Sequence, residues 1–190
     1  GKIVTTPLIY DFYLSKKFSA KIFYKAENLQ RTGSFKIRGA YNKIYNSIKN
    51  DKPAGILAWS SGNHAQGVAE AANIFNIKST IVMPKDAPQN KINGTKSRKA
   101  NIVFYNRKTE NREEIGNSIA RKNNLLIIPP YDDPDVIAGQ GTIGLEIIEQ
   151  ISKYDLFPDK VLVPTGGGGL IAGIATAIKN KFNNTNIYSI

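Results

Sequence analysis

The chain has 190 residues, 41% of them hydrophobic, and its 26 Lys and Arg against 15 Asp and Glu give a formal net charge of +11. This composition is typical of a folded globular chain of one domain or two small ones. The absence of cysteine excludes a disulfide scaffold, thiolate metal sites and cysteine nucleophiles, and the single histidine, His64, excludes a multi-histidine metal site within one chain. No apolar run reaches the ~18 residues of a membrane span, and residues 1–10 lack a signal peptide's apolar stretch, so we expect a soluble, cytoplasmic protein with no membrane partner.

The surplus positive charge is concentrated in residues 78–122, where 11 Lys and Arg stand against 4 Asp and Glu, a net charge of +7. Such a segment raises the hypothesis of a nucleic-acid surface. However, the chain has 20 Lys and only 6 Arg, and residues 85–99 contain no aromatic side chain. Nucleic-acid surfaces rely on arginine and on interleaved aromatic residues. The pattern therefore favours a solvated face over a nucleic-acid partner.

Short apolar runs of strand character alternate along the chain with helical patterns. The predicted strands are residues 21–25, 55–59, 80–83, 102–105, 125–128, 161–163 and 187–190. The predicted helices are residues 35–48, with Ser34 as the capping residue, 65–75, 111–122, 142–151 and 170–182. This alternation indicates an α/β fold with mainly parallel sheets. Three prolines interrupt residues 129–134, which we interpret as a crossover segment.

Ligand sites of such folds form where the carboxyl ends of strands lead into helices. The glycine loop, residues 164–170, lies at one such junction and contains four consecutive glycines. Their N–H groups, together with the positive end of the helix dipole, favour a phosphate. No Lys–Ser/Thr pair follows, as a P-loop requires, and no Asp or Glu follows Asp159 to hold the ribose of a dinucleotide. The loop therefore predicts a phosphate monoester ligand.

The serine loop, residues 60–67, follows the predicted strand 55–59 and has the sequence SSGNHAQG. Small polar residues at a helix start often serve only as caps. Here two hydroxyls, an amide, a histidine and free N–H groups surround a glycine, which suits a carboxylate ligand. No aspartate lies close to His64 in the sequence, so we do not interpret the loop as a Ser/His triad.

Lys36 stands in the first turn of the predicted helix 35–48, where the helix dipole disfavours a cation. Most lysines are solvated, but one held there in apolar surroundings has a lowered pKa and becomes nucleophilic. A reactive amine, a phosphate cradle and a carboxylate-binding loop together indicate a pyridoxal phosphate enzyme that acts on an amino acid.

Four segments in this order, GSFKIRGA, SSGNHAQG, PPYDDPDVIAGQGTIGLEI and PTGGGGLIAGIA, closely resemble the threonine/serine dehydratase and serine racemase branch of the fold-type II pyridoxal phosphate enzymes. The resemblance runs from residue 6 to residue 190. It implies a three-layer α/β fold with parallel sheets, the tryptophan synthase beta-like fold. Residues 1–54 and 133–190 would belong to a large cofactor domain, and residues 55–132 would form a small mobile domain that carries the substrate loop.

The resemblance also implies roles for individual residues. Lys36 would bind the cofactor as an internal aldimine and later move the α-proton of the substrate, and Ser61 matches the opposite-face acid/base of the racemases. The implied cofactor-binding residues are Phe35 near the ring, Lys36, Asn63 at the phenolic oxygen, and Gly166, Gly167, Gly168, Gly169 and Leu170 in the phosphate loop. The implied substrate-binding residues are Ser60, Ser61, Gly62 and His64.

The activity implied is that of a lyase converting L-threonine or L-serine to a 2-oxo acid and ammonia by α,β-elimination. The segment YDDPDVIAGQGTIGLEI is most similar to the threonine dehydratases, which favours this interpretation. The two serines before Gly62 also occur in serine racemases and 3-hydroxyaspartate dehydratases, which are the alternative. An inactive fragment or a basic nucleic-acid-binding module is the alternative of a different class.

In the family that the sequence resembles, the chain continues well beyond residue 190. Residues 186–190 have the pattern of a core strand with no helix after it, so we expect the chain to be C-terminally truncated. The group facing the pyridine nitrogen and the ligands of a divalent cation would lie in the missing part, and no metal ligand is assigned here. The resemblance further implies a homo-oligomer, either a dimer or a tetramer.

Overall fold

The structure is a computed structural model that describes residues 2–50 and 53–190. Strands and helices alternate along most of the chain, apart from one short 3-10 helix at Glu27–Leu29. The strands are β1 (Leu8–Tyr10), β2 (Phe23–Lys25), β3 (Gly55–Trp59), β4 (Ser79–Pro84), β5 (Asn101–Tyr105), β6 (Leu125–Ile127), β7 (Lys160–Val163) and β8 (Asn186–Ser189). The helices are α1 (Phe12–Phe18), α2 (Lys36–Asn50), α3 (Asn63–Ile74), α4 (Gln89–Lys96), α5 (Arg112–Asn123), α6 (Pro134–Ser152) and α7 (Gly169–Lys181).

The sheets are mainly parallel, as the sequence predicts. A four-stranded parallel sheet has the order β5-β4-β3-β6, and β7 pairs in parallel with β8. The β1–β2 pair is antiparallel. Because all strands of the four-stranded sheet run the same way, their carboxyl ends lie at one edge, and the serine loop begins there, after β3.

The crossover segment ends in a helix that begins earlier than predicted. Helix α6 starts at Pro134 rather than near residue 142. The Asp133 side chain caps it by accepting hydrogen bonds from the N–H groups of Asp135 and Val136, at 3.0 and 3.1 Å. Proline is favourable in the first turn of a helix because the N–H groups of that turn have no carbonyl partner within the helix. The missing N–H of proline therefore costs no hydrogen bond there. The proline that indicated an interruption therefore marks the start of α6.

The predicted cap at Ser34 is wrong. Helix α2 begins at Lys36, and the buried Ser34 hydroxyl has no hydrogen-bond partner within the described part of the chain. Two helices are missing from the prediction. Apolar periodicity does not predict α1 because its apolar residues Phe12 and Tyr13 are exposed. It does not predict α4 because Ile92 is the only large apolar residue of that helix.

The core has two clusters of buried apolar residues. One packs α2 and α3 against β3 and β4, with Ile37 and Ile56 among its fully buried members. The other packs α6 and α7 against β7 around Ile174 and Ile178. Among residues 2–50 and 53–190, no helix is long and apolar enough to cross a membrane.

Candidate active site

A cavity of about 410 Å³ lies where the start of α2, the crossover segment and the glycine loop meet. Its wall combines one amine, one amide and a run of bare backbone with apolar side chains. The lining residues are Phe35, Lys36, Pro130, Tyr131, Gln140, Pro164, Thr165, Gly166, Gly167, Gly168, Gly169, Leu170, Ile171 and Ile190. Lys36 and the glycine loop are 130 residues apart in sequence, and the fold brings them into one wall.

Lys36 is the first residue of α2 and projects into this cavity. Its Nζ donates a hydrogen bond to the carbonyl oxygen of Pro130 at 2.6 Å and lies 5.2 Å from the centroid of the Phe35 ring. Burial lowers the pKa of Lys36 because the charged form loses water without gaining a carboxylate partner. The amine is thus held ready for nucleophilic or proton-transfer chemistry.

The glycine loop presents free backbone to the cavity. It leaves β7, and Gly168 caps α7 with a φ of 86°, a conformation that glycine adopts without strain. No side chain of the described residues caps this 13-residue helix, so the N–H groups of its first turn remain available to an anion. A Cβ on Gly167 would lie 2.2 Å from the Tyr131 ring, so the loop packs directly against that ring.

The residues of the serine loop do not line this cavity. They follow β3, with Asn63 as the first residue of α3. The N–H of Gly62 donates to the Ser60 hydroxyl at 3.2 Å, and the side-chain carbonyl of Asn63 accepts from Lys91 Nζ at 2.9 Å. The structure therefore gathers Phe35, Lys36, the four glycines and Leu170, and places the five predicted residues from Ser60 to His64 outside the cavity wall.

His64 connects the serine loop to the chain just before the crossover segment through a buried hydrogen bond. It is buried, and its Nε2–H donates to the carbonyl oxygen of Ile128 at 2.9 Å, two residues before the carbonyl that holds Lys36. Its Nδ1 has no partner within residues 2–50 and 53–190. Burial and, to a smaller extent, the nearby Lys36 cation lower the pKa of His64 to about 4, against the raising effect of the Ile128 hydrogen bond.

This pKa gives a direct prediction. Because His64 is the only histidine, its imidazole resonances in an NMR pH titration need no assignment by mutation. We expect a midpoint near pH 4, well below the ordinary value of 6.5. The unfolded chain takes up this proton at a higher pH than the folded chain. The contribution of neutral His64 to the free energy of unfolding is therefore complete above pH 6.5 and is lost as the pH falls toward 4. A midpoint near 6.5 would contradict the buried neutral histidine.

Four lining residues, Pro130, Tyr131, Gln140 and Thr165, carry no role in the sequence-based predictions. Pro130 and Tyr131 lie in the crossover segment, which had been interpreted only as a connection. Gln140 carried a usable signal, because it is a polar residue at helical spacing from the buried Val136 and Ile143 of α6. Thr165 precedes the glycines, and its hydroxyl donates to the Val163 carbonyl at 2.8 Å.

Fold and site together describe an α/β domain in which a helix N-terminus suited to an anion faces the same cavity as a lysine of lowered pKa. The family model for pyridoxal-phosphate dependent enzymes matches residues 1–190. The chain therefore belongs to the pyridoxal-phosphate dependent enzyme family, and its fold is that of the fold-type II members, as predicted. Among the described residues, no cluster of three or more His, Cys, Asp or Glu is placed to hold a metal ion.

Known proteins that are similar to this chain indicate which branch of the family it resembles. The chain is 43% identical over 185 residues to the L-threo-3-hydroxyaspartate ammonia-lyase of Saccharomyces cerevisiae, covering 97% of this chain and 56% of that protein. It is 47% identical over 180 residues to the catabolic L-threonine dehydratase of Escherichia coli, covering 95% and 54%. The structure of maize serine racemase superposes with a TM-score of 0.92 at 34% identity, covering 98% and 56%. The chain thus spans about half the length of the curated relatives it matches.

The cavity fits the family's cofactor. A phosphate needs N–H donors and a positive helix end, which the glycine loop and α7 supply. An aldehyde needs an amine that is not tied up by a carboxylate, and no Asp or Glu occurs among the lining residues of the described chain. The apolar walls suit a ring, since pockets for such ligands are mostly apolar with a few placed polar groups.

Proposed function

We propose that the cavity holds pyridoxal 5'-phosphate, with Lys36 as its covalent anchor and the N–H groups of Gly166, Gly167, Gly168 and Gly169 around its phosphate. The observation that carries this proposal is the cavity shared by the Lys36 amine and the glycine loop. Phe35 and Leu170 add apolar surface to the wall of this cavity.

The serine loop is proposed as the site of the substrate carboxylate. Ser60, Ser61, Gly62 and His64 would bind it, and Asn63 would face the cofactor's phenolic oxygen. The support is topological: the loop stands at the carboxyl edge of the four-stranded sheet, where α/β folds bind ligands. Because residues 55–127 contain that whole sheet, we also propose that residues 55–132 form a small domain whose movement brings the loop toward Lys36.

The activity proposed is the dehydration of L-threonine or L-serine to a 2-oxo acid and ammonia. When bound, pyridoxal phosphate supplies an electron-withdrawing ring that acidifies the α-hydrogen of an attached amino acid. Lys36 Nζ accepts that proton, and its lowered pKa raises the fraction of amine free to do so near neutral pH. The β-hydroxyl leaves as water, one water is taken up again, and ammonia is released. The cytoplasmic location and the homo-oligomeric assembly stay predictions.

The test of this activity is product analysis with L-threonine, L-serine and L-threo-3-hydroxyaspartate. We expect 2-oxo acid and ammonia in equal amounts, with L-threonine as the preferred substrate, and loss of both products in Lys36→Ala. The Lys49→Ala variant, a lysine on the same helix that stacks on Tyr45, is the matched control and should retain the activity. Formation of D-serine instead would establish the racemase alternative, with Ser61 as the opposite-face acid. No product from a protein that retains the cofactor would overturn the proposal.

A further inference from the structure

Gln140 is a polar residue within α6 whose side chain forms part of the cavity wall. It is 1% exposed, and its Oε1 has no partner among residues 2–50 and 53–190. Buried polar groups in folded proteins are nearly always paired, so an unpaired amide oxygen calls for a partner. Gln140 lines the cavity into which Lys36 projects.

The close approach of α2 and α6 makes room for this amide. A Cβ on Gly39 would lie 2.5 Å from Gln140 Nε2, so the amide occupies the space that any side chain at residue 39 would fill. A Cβ on Gly139 would lie 2.5 Å from the carbonyl oxygen of Arg38, so this position also requires glycine. Gly39 lies one turn after Lys36 on α2. Two glycines thus hold the Gln140 amide against the turn that carries the reactive lysine.

The Lys36 ammonium has more hydrogen-bond donors than the described residues supply acceptors. A charged lysine carries three N–H donors, and the described residues offer Nζ one acceptor, the Pro130 carbonyl. Thr165, another polar side chain of the wall, uses its hydroxyl on the Val163 carbonyl. His64 is buried as a neutral ring, and the lining residues of the described chain include no Asp or Glu. Gln140 Oε1 is an unpaired acceptor among the described residues of the same wall, and it matches the unused donors of Nζ.

We propose that Gln140 is a positioning residue for Lys36: in the apoprotein Nζ alternates between the Pro130 carbonyl and Gln140 Oε1, and the hydrogen bond to Oε1 fixes the amine during proton transfer. This role rests on the proposed function for its use in catalysis. The contact itself is a property of this chain's own residues and is tested without cofactor or substrate.

The experiment is competitive chemical labelling of the apoprotein over a range of pH, with the extent of Lys36 modification read by mass spectrometry. The midpoint of labelling reports the titration of the amine independently of how accessible it is. The variants are Gln140→Met, which removes the acceptor at nearly the same volume, and Gln140→Glu, which adds a negative charge. The matched control is Gln150→Met, on the same helix, whose amide accepts from Lys25 and donates to the Thr6 carbonyl outside the cavity.

We expect Gln140→Glu to raise the midpoint by about one pH unit or more, so that labelling at neutral pH slows about tenfold. We expect Gln140→Met to lower the midpoint, because the ammonium loses an acceptor, and Gln150→Met to leave it unchanged. A midpoint in Gln140→Met equal to that of the parent would show that water satisfies the amide and would overturn the proposal. Since Gln140→Met adds no charge to the core, the test stands even if Gln140→Glu fails to fold.

The holoenzyme provides a second readout. If Gln140 fixes the amine, Gln140→Met lowers kcat more than tenfold with KM for the amino acid within about twofold, and it moves the pH profile of kcat in the direction of the labelling midpoint. A purely structural role would change stability while leaving the pH profile in place. Labelling that responds as expected in a protein without dehydratase activity would leave the contact established and refute only the proposed function.

Discussion

Replacing Glu146 with alanine is expected to lower the free energy of unfolding by about 3–5 kcal/mol. Glu146 accepts hydrogen bonds from Arg38 at 2.6 and 2.9 Å and from Lys25 at 2.5 Å, and Arg38 is only 3% exposed. Glu27 is the other carboxylate on Arg38, at 2.8 Å. Without Glu146, Lys25 loses the carboxylate it contacts among the described residues, and Arg38 keeps only Glu27. An uncompensated buried charge is far costlier than a lost surface pair.

The matched control is Glu149→Ala, three residues further along the same helix. Glu149 pairs with Lys153 at 3.9 Å, and both side chains are more than two-thirds exposed. Exposed pairs contribute about 0–1 kcal/mol, so this variant should unfold almost like the parent. The measurement is urea unfolding, with an unchanged m-value as the sign that both states remain comparable. Equal, small losses in the two variants would contradict the structural role of the network.

The same network predicts sensitivity to acid. Burial alone would raise the pKa of Glu146, but the hydrogen bonds from Arg38 and Lys25 outweigh it and hold this pKa below its usual range. The contribution of ionised Glu146 to the free energy of unfolding is therefore complete above the ordinary pKa of glutamate and is lost as the pH falls through the lowered pKa. Because Arg38 follows Lys36 by two residues on α2, this network also fixes the helix that carries the reactive lysine.

Gly167→Ala is expected to weaken the binding of pyridoxal phosphate about 10- to 100-fold. The new Cβ would lie 2.2 Å from ring atoms of Tyr131, far inside van der Waals contact. Either the ring moves into the cavity or the loop moves away from the ligand, and forced repacking of this kind costs about 1–3 kcal/mol. The measurement is titration of the apoprotein with the cofactor, followed by its absorption.

A double-mutant cycle separates this clash from a general effect on the loop. In a Tyr131→Ala background the obstacle is absent, so Gly167→Ala should change the affinity less than about twofold. A loss of the same size with and without the Tyr131 ring would show that the clash is not the cause. The unfolding free energy of each variant, measured in parallel, excludes a loss that arises from misfolding.

The parts of the site that the sequence predicted are those with local causes. A glycine run between a strand and a helix exposes backbone N–H groups at the start of the helix, where the helix dipole favours an anion. A lysine at a helix start meets the same dipole without help from distant residues. The alternation of elements predicted the parallel sheets for the same reason. The fold then brings these two locally determined features, Lys36 and the glycine loop, into one cavity.

The remaining parts depend on tertiary contacts. Tyr131 belongs to the site only because the crossover segment packs across Gly167, and Gln140 only because Gly39 and Gly139 let two helices approach. The cap assigned to Ser34 failed because local spacing does not reveal that α2 starts two residues later, at Lys36. For the serine loop, sequence motifs predicted a role but carry no information on its distance from Lys36.

The central claim is that Lys36 binds pyridoxal phosphate. It is tested most directly by adding the cofactor, reducing with borohydride and mapping the labelled peptide by mass spectrometry. We predict a cofactor absorption band before reduction and a single stable label on Lys36, with both absent in Lys36→Ala and retained in Lys49→Ala. A label on another lysine, or an unchanged band in Lys36→Ala, would contradict the claim.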